Sequence, residues 1–166
     1  KKKEMMLKTF LLTGLLLLGT ITTKAQETQV QIDSNTKESI TKESLYEQIM
    51  KYGIKFPDVV FAQAVLESGQ FTSKLFKSAN NLFGMKIPTR RESSANGKTK
   101  SGYSSYEDWN FSVYDYSLWQ NFMLKNKSDL TKKEYLALLG KVYAEDKRYV
   151  SSLKRVIGEH QHILTQ

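Results

Sequence analysis

The chain has 166 residues, 40% of them hydrophobic and 25% charged, which suits one domain with a buried core. It contains no cysteine, so disulfides and thiolate metal sites are excluded. The formal charge is +8, but five lysines and one glutamate fall within residues 1–25, so half of the excess sits there. The moderate positive charge that remains suits an anionic surface or polymer, and no helix-turn-helix, zinc spacing or RNA-binding aromatic motif points to nucleic acid.

Lys1 to Lys3 and Lys8 make a basic start, Leu7 to Ile21 an apolar run, and small and polar residues lead to Ala25. This is the three-part layout of a secretory signal peptide, so residues 1–25 are expected to be removed and the protein exported. The apolar run is about half of a comfortable bilayer span, so no stable membrane anchor is expected after cleavage. Residues 26–42 are polar, without apolar period, and read as a linker. A domain is expected over 43–166.

Within it, Leu45, Ile49 and Tyr52 space as one helical face closed by Gly53. A second helix is expected from Pro57, pre-organised for a first turn, to Ser68, with Asp58 at the positive end of its dipole. Phe61, Ala62, Ala64 and Val65 make it a largely buried rod. Thr72 to Ser78 reads as a short helix leading into a turn at Asn80–Lys86. From Ile87 to Gly102 the chain turns polar and basic, and Asn96-Gly97 is a two-residue hairpin signal, which predicts an exposed β-hairpin lobe.

A dense aromatic run follows: Tyr103, Tyr106, Trp109, Phe111, Tyr114, Tyr116, Trp119 and Phe122. Its second half has helical spacing. So many rings exceed the needs of one helix, and some should line a groove, where their faces suit sugar rings. Thr131 and Glu134 form a capping box that opens another helix, and Val150, Leu153, Val156 and Ile157 are the inward face of a last one. The reading is α+β, predominantly helical, with a small β-hairpin lobe.

Glu67 carries the chemistry. It lies at the negative end of the Pro57 helix among apolar neighbours, and both conditions disfavour its ionised form. A carboxyl that keeps its proton near neutral pH can give it to a leaving oxygen, which is general-acid chemistry. His160 and His162 are expected on different helix faces near the terminus, in solvent, so no metal is expected there. No serine or cysteine nucleophile scheme and no phosphate loop is present, and no cofactor is expected.

Three ordered motifs, Ala64-Val65-Leu66-Glu67-Ser68-Gly69, Asn81-Leu82-Phe83-Gly84-Met85-Lys86 and Tyr143-Ala144-Glu145-Asp146-Lys147-Arg148-Tyr149, resemble the endo-β-N-acetylglucosaminidases of glycoside hydrolase family 73, the autolysin and flagellar-muramidase type. The likeness runs from about Leu45 to Ile157. It implies a lysozyme-like fold and cleavage of the β-1,4 bond after N-acetylglucosamine in peptidoglycan, with peptidoglycan strands as partner and a monomer expected. Glu67 matches the family's general acid. Tyr143 matches the tyrosine that opens the Tyr-Ala-x-Asp motif and lines the site, so it is placed with the catalytic residues. Tyr149 matches the motif's second tyrosine, expected to pack. Asn81 and Phe83 match the turn that shapes the cleft floor. With Tyr106 and Tyr149 they are the candidate substrate-binding residues.

Glycosidases commonly need a second carboxylate, about 5 Å away for retention and about 6.5–9.5 Å for inversion. The family places it in the β-lobe, where the one acid is Glu92. Glu107 and Asp108 are fallback candidates, and Asp115 is expected to cap or brace a helix. Without a second acid, the substrate's acetamido group is left as internal nucleophile, or Glu67 alone as a lytic transglycosylase. A glycan-binding module without activity is the alternative outside the enzymes.

Overall fold

A computed structural model describes residues 39–127, 129–143 and 146–165. The expected signal segment, most of the expected linker, and Ala144 and Glu145 of the third motif lie outside the described residues.

The described elements run in the order α1 (Lys42–Lys51), α2 (Pro57–Glu67), α3 (Lys74–Ala79), β1 (Gly97–Lys98), β2 (Ser104–Ser105), α4 (Trp109–Leu124), α5 (Lys132–Val142), α6 (Tyr149–Glu159) and α7 (Gln161–Leu164). Helix α1 opens on a Thr41–Ser44 capping box. Helix α2 is the buried rod that its composition implies. Every residue from Val59 to Val65 is buried, and it packs against α1 and α6. A helix apolar on all sides has to lie inside a core. Fully burying a side chain of the size of Val59 or Phe61 stabilises by about 1.5–3 kcal/mol, and Leu45, Ile49, Tyr116, Leu139 and Leu153 complete the centre.

The aromatic run divides at Asp108. Its side chain accepts from the Asn110 N–H and caps α4. Helix α4 therefore starts at Trp109, earlier than the spacing suggests. Asn80 takes a left-handed conformation at the end of α3, and its Nδ2 donates to the Tyr106 carbonyl at 2.8 Å and that of Glu107 at 3.1 Å. These bonds tie the turn after α3 to the base of α4.

The lobe is a hairpin, with β1 antiparallel to β2 and Gly97 opposite Ser105. The reversal, however, is not at Asn96-Gly97. It lies at Thr99–Gly102, where the Gly102 N–H donates to the Thr99 carbonyl at 3.0 Å and Gly102 has φ +81°. Gly97 serves close approach instead: a Cβ there would meet Ser105 Oγ at 2.9 Å. The expectation about the histidines also needs correction. His160 is buried with Nδ1 2.9 Å from the Val156 carbonyl oxygen. Its ring stacks 6.4 Å from that of His162, because α6 ends before the pair and they do not share one straight helix.

Candidate active site

Glu67 is the last residue of α2, with Ser68 as the C-cap. Its carboxyl is half-buried, and loss of hydration pushes its pKa above the usual glutamate value. Tyr149, the first residue of α6, opposes that effect by donating a hydrogen bond to Glu67 Oε1 at 2.8 Å. The Tyr149 phenol is itself pushed well up, first by burial and then by the Glu67 charge, so it stays a neutral donor.

Tyr143 caps the C-terminal end of α5. Its hydroxyl donates to the Phe83 carbonyl at 2.6 Å, and burial holds it protonated. Its ring stacks on Tyr149, with centroids 6.4 Å apart and planes 11° apart, and meets Trp119 edge-on at 5.7 Å. Tyr143 and Trp119 line a groove of about 310 Å³ with Gly84, Met85, Lys86, Pro88, Arg91 and Val142. A second depression of about 220 Å³ shares Pro88, Arg91 and Trp119 and adds Thr89, Arg90, Phe122 and Met123. Glu67 is not among the side chains lining either. It connects to the groove through Tyr149 and then Tyr143.

Other expected site residues stand elsewhere. Asn81 is buried, and its amide is fully used inside the turn: Nδ2 donates to the Met85 carbonyl at 2.9 Å and the Ser104 carbonyl at 2.8 Å, and Oδ1 accepts from the Met85 N–H at 3.1 Å. Phe83 is also buried, its ring 4.3 Å from that of Tyr116. Tyr106 is buried with its hydroxyl donating to Asp115 Oδ2 at 2.8 Å. None of the three presents its side chain to a sugar. They shape the wall from behind, because a turn this buried needs its own polar groups satisfied.

Glu92 is exposed, and its carboxylate makes no ion pair among the described residues. Its basic neighbour Arg91 turns inward instead, pairing bidentately with Asp115 at 2.8 and 3.1 Å and donating to the Glu92 carbonyl oxygen at 2.6 Å. Asp115 is buried and also accepts from the Ser94 N–H at 3.3 Å, so it braces the lobe onto α4. Asp108 is the α4 cap, and Glu107 is exposed. Among the described residues no group of three or more His, Cys, Asp and Glu gathers to hold a metal, and no helix is long and apolar enough to cross a membrane.

Two features have only faint traces in the sequence. Arg91 reads there as surface charge. Gln63 reads as a polar interruption between alanines, although its position one turn before Glu67 puts it on the same helix face. In the structure Gln63 is buried and accepts from the Tyr116 hydroxyl at 2.7 Å.

A family model described as mannosyl-glycoprotein endo-β-N-acetylglucosaminidase matches residues 42–162. Among solved structures, the catalytic domain of the autolysin Auto from Listeria monocytogenes is similar at 24% identity and a TM-score of 0.53, over 78% of this chain and 90% of that one. A Staphylococcus aureus protein described as an N-acetylmuramoyl-L-alanine amidase is similar at 25% identity and a TM-score of 0.55, over 78% of this chain but only 46% of its own. A peptidoglycan hydrolase from Sphingomonas sp. A1 is similar at 21% identity and a TM-score of 0.52, over 74% of this chain and 90% of that one. No curated protein matches the chain. The fold is α+β, predominantly helical and lysozyme-like, as its residues and motifs imply.

Proposed function

The chain belongs to the glucosaminidase family of glycoside hydrolases, and from that premise we propose that it is an exported enzyme cleaving the β-1,4 bond after N-acetylglucosamine in peptidoglycan, with Glu67 as general acid. The observation that carries this reading is the Glu67 carboxyl: partly buried, raised in pKa by desolvation, and held on Oε1 by a tyrosine that stays protonated. Oε2 is then the atom that carries the proton and delivers it to the glycosidic oxygen. As the bond breaks, positive charge grows on the sugar ring, and the newly ionised Glu67 stabilises it. The groove lined by Trp119 and Tyr143 holds the strand, with the ring faces against sugar rings.

Glu92 acts as the second carboxylate in this reading. Its carboxylate makes no ion pair among the described residues, and its carbonyl oxygen accepts from Arg91. A second reading, attack by the substrate's own acetamido oxygen, is favoured by one observation: among the described residues, no other carboxylate is among the groups that shift the proton affinity of Glu67. The layout of residues 1–25 supports export, and the net positive charge supports retention on an anionic wall.

Clearing of purified cell-wall sacculi tests the assignment. The intact chain lowers turbidity, and Glu67→Gln abolishes clearing by about 10²–10⁴-fold, the usual worth of a general acid, while the circular dichroism spectrum stays unchanged. Near wild-type clearing by Glu67→Gln overturns it.

A further inference from the structure

Two neighbouring arginines before the hairpin have opposite fates. Arg91 turns inward, its side chain 8% exposed, and Asp115 neutralises it. Arg90 is exposed and lines the smaller depression, about 220 Å³, together with Trp119, Phe122 and Met123. Its guanidinium makes no ion pair among the described residues. The backbone beside it is held: Pro88 has a fixed φ, and the Arg91–Asp115 pair ties the next residue to α4. A ligand that meets Arg90 therefore has little chain left to order.

Charge along the two depressions is one-sided. Lys86 lines the larger groove, with Nζ 5.6 Å from the centroid of the Tyr103 ring. Among the described residues no acidic side chain lines either depression, and Asp115 lies buried behind Arg91. A strand of N-acetylated sugars alone is neutral and offers such cations no partner. Apolar walls around Arg90 would strengthen its attraction for a carboxylate, and the guanidinium fork matches the two carboxylate oxygens. The depression is smaller than the roughly 300–1,000 Å³ of a site that encloses a whole ligand. Its size suits a side group of a ligand held in the adjoining groove. Trp119 belongs to both depressions, and a sugar stacked on it projects its substituents sideways from the ring edge.

We propose that this depression holds the peptide stem that peptidoglycan carries on the lactyl group of every second sugar. Arg90 pairs with a stem carboxylate, and Pro88, Phe122 and Met123 cover the small alkyl side chains beside it. This rests on the reading of the Trp119–Tyr143 groove as the seat of the strand. Arg90 is then a specificity-determining residue, which separates peptidoglycan from an unsubstituted N-acetylglucosamine polymer.

Isothermal titration calorimetry tests this on the purified protein carrying Glu67→Gln, since binding needs no catalysis. The ligands are soluble, uncross-linked strands in three forms. One keeps its stems, one has the stem carboxylates converted to amides by carbodiimide coupling, and one is stripped of stems by an amidase, which leaves the lactyl carboxylate. Arg90→Gln is expected to weaken binding of the intact strand about tenfold. Arg90→Lys should weaken it less, because charge remains and only the fork is lost. The amidated strand should bind the Arg90→Gln variant and its parent alike. Lys154→Gln, which removes an exposed charge from α6, should leave the intact strand's affinity unchanged. Equal affinity of parent and Arg90→Gln for the intact strand overturns the proposal. An equal loss on the amidated strand, or with Lys154→Gln, overturns it too. An effect of the same size on the stripped strand overturns the stem and assigns Arg90 to the lactyl carboxylate. The groove reading fails separately, if Trp119→Ala leaves the affinity for every strand unchanged.

Discussion

Tyr149 and Glu67 lie 82 positions apart, yet the tyrosine hydroxyl donates to Glu67 Oε1 at 2.8 Å. The bond joins the C-terminal end of α2 to the N-terminal end of α6, the two helices most extensively packed against each other. The tyrosine expected to pack is therefore the one that touches the acid, and Tyr143, expected in the catalytic role, supports it by stacking.

Tyr149→Phe removes the contact that, among the described residues, lowers the Glu67 pKa, and leaves desolvation to raise it. In its proposed role as general acid Glu67 works in its protonated form, so activity is expected below its pKa and is lost as pH rises through it. The alkaline limb of the kcat profile is expected to move to higher pH. A pH–rate profile of sacculus clearing measures this, and an unmoved or lowered limb contradicts it.

Glu67→Gln should change stability as well as activity. Because the folded-state pKa of Glu67 is raised above its unfolded value, the ionised carboxylate disfavours folding. Below the ordinary glutamate pKa both states are protonated and no such penalty exists. It develops as pH rises from there through the folded-state pKa. The variant is thus expected to melt above the wild type at neutral pH, with the gap closing as pH falls toward about 4. Thermal melts across that range read it directly; a gap that widens on acidification would show the sign to be wrong.

Asn81→Ala separates a structural from a substrate-binding role. Three buried partners, the Met85 N–H and the carbonyls of Met85 and Ser104, would lose their bonds. An orphaned buried group costs about 1–3 kcal/mol, so a loss of about 2 kcal/mol or more is expected in urea unfolding. KM of the folded fraction should hardly move. A large KM increase with stability retained would return Asn81 to the substrate.

Arg91→Ala and Asp115→Ala strand a buried charge, with side-chain exposures of 8% and 0%. Breaking such a pair costs about 3–5 kcal/mol, whereas the exposed Arg155–Glu159 pair on α6 should be worth about 0.3–0.5 kcal/mol. Urea titration of the three alanine variants, Arg155→Ala included, gives the comparison. Because Arg91 also holds the Glu92 carbonyl, the lobe variants are expected to lose activity even where they remain folded.

Much of the fold is legible in the chain because its signals are local. Pro57, the Thr131–Glu134 capping box and the mostly apolar rod from Val59 to Val65 each specify their own neighbourhood. The turn at Asn96-Gly97 misleads because glycine answers two needs, left-handed backbone and close approach, and here Gly102 meets the first while Gly97 meets the second. Glu67 stands out because a carboxylate at the end of an apolar helix is locally anomalous. Its companions do not, since Tyr149, Gln63 and the Arg91–Asp115 pair gain their meaning only from contacts between distant segments. Asn81 and Tyr106 look functional for a related reason: a buried polar side chain and a sugar-binding one share the same chemistry, and only the partners differ.

End-group analysis of digested peptidoglycan tests the assignment most directly. Sacculi treated with the purified protein and analysed by mass spectrometry should yield fragments with N-acetylglucosamine at the reducing end, and none when Glu67→Gln replaces the wild type. Anhydro-muramyl ends would instead identify a lytic transglycosylase, and sedimentation with sacculi without any new reducing end would identify a binding module; either result contradicts the glucosaminidase chemistry assigned to Glu67.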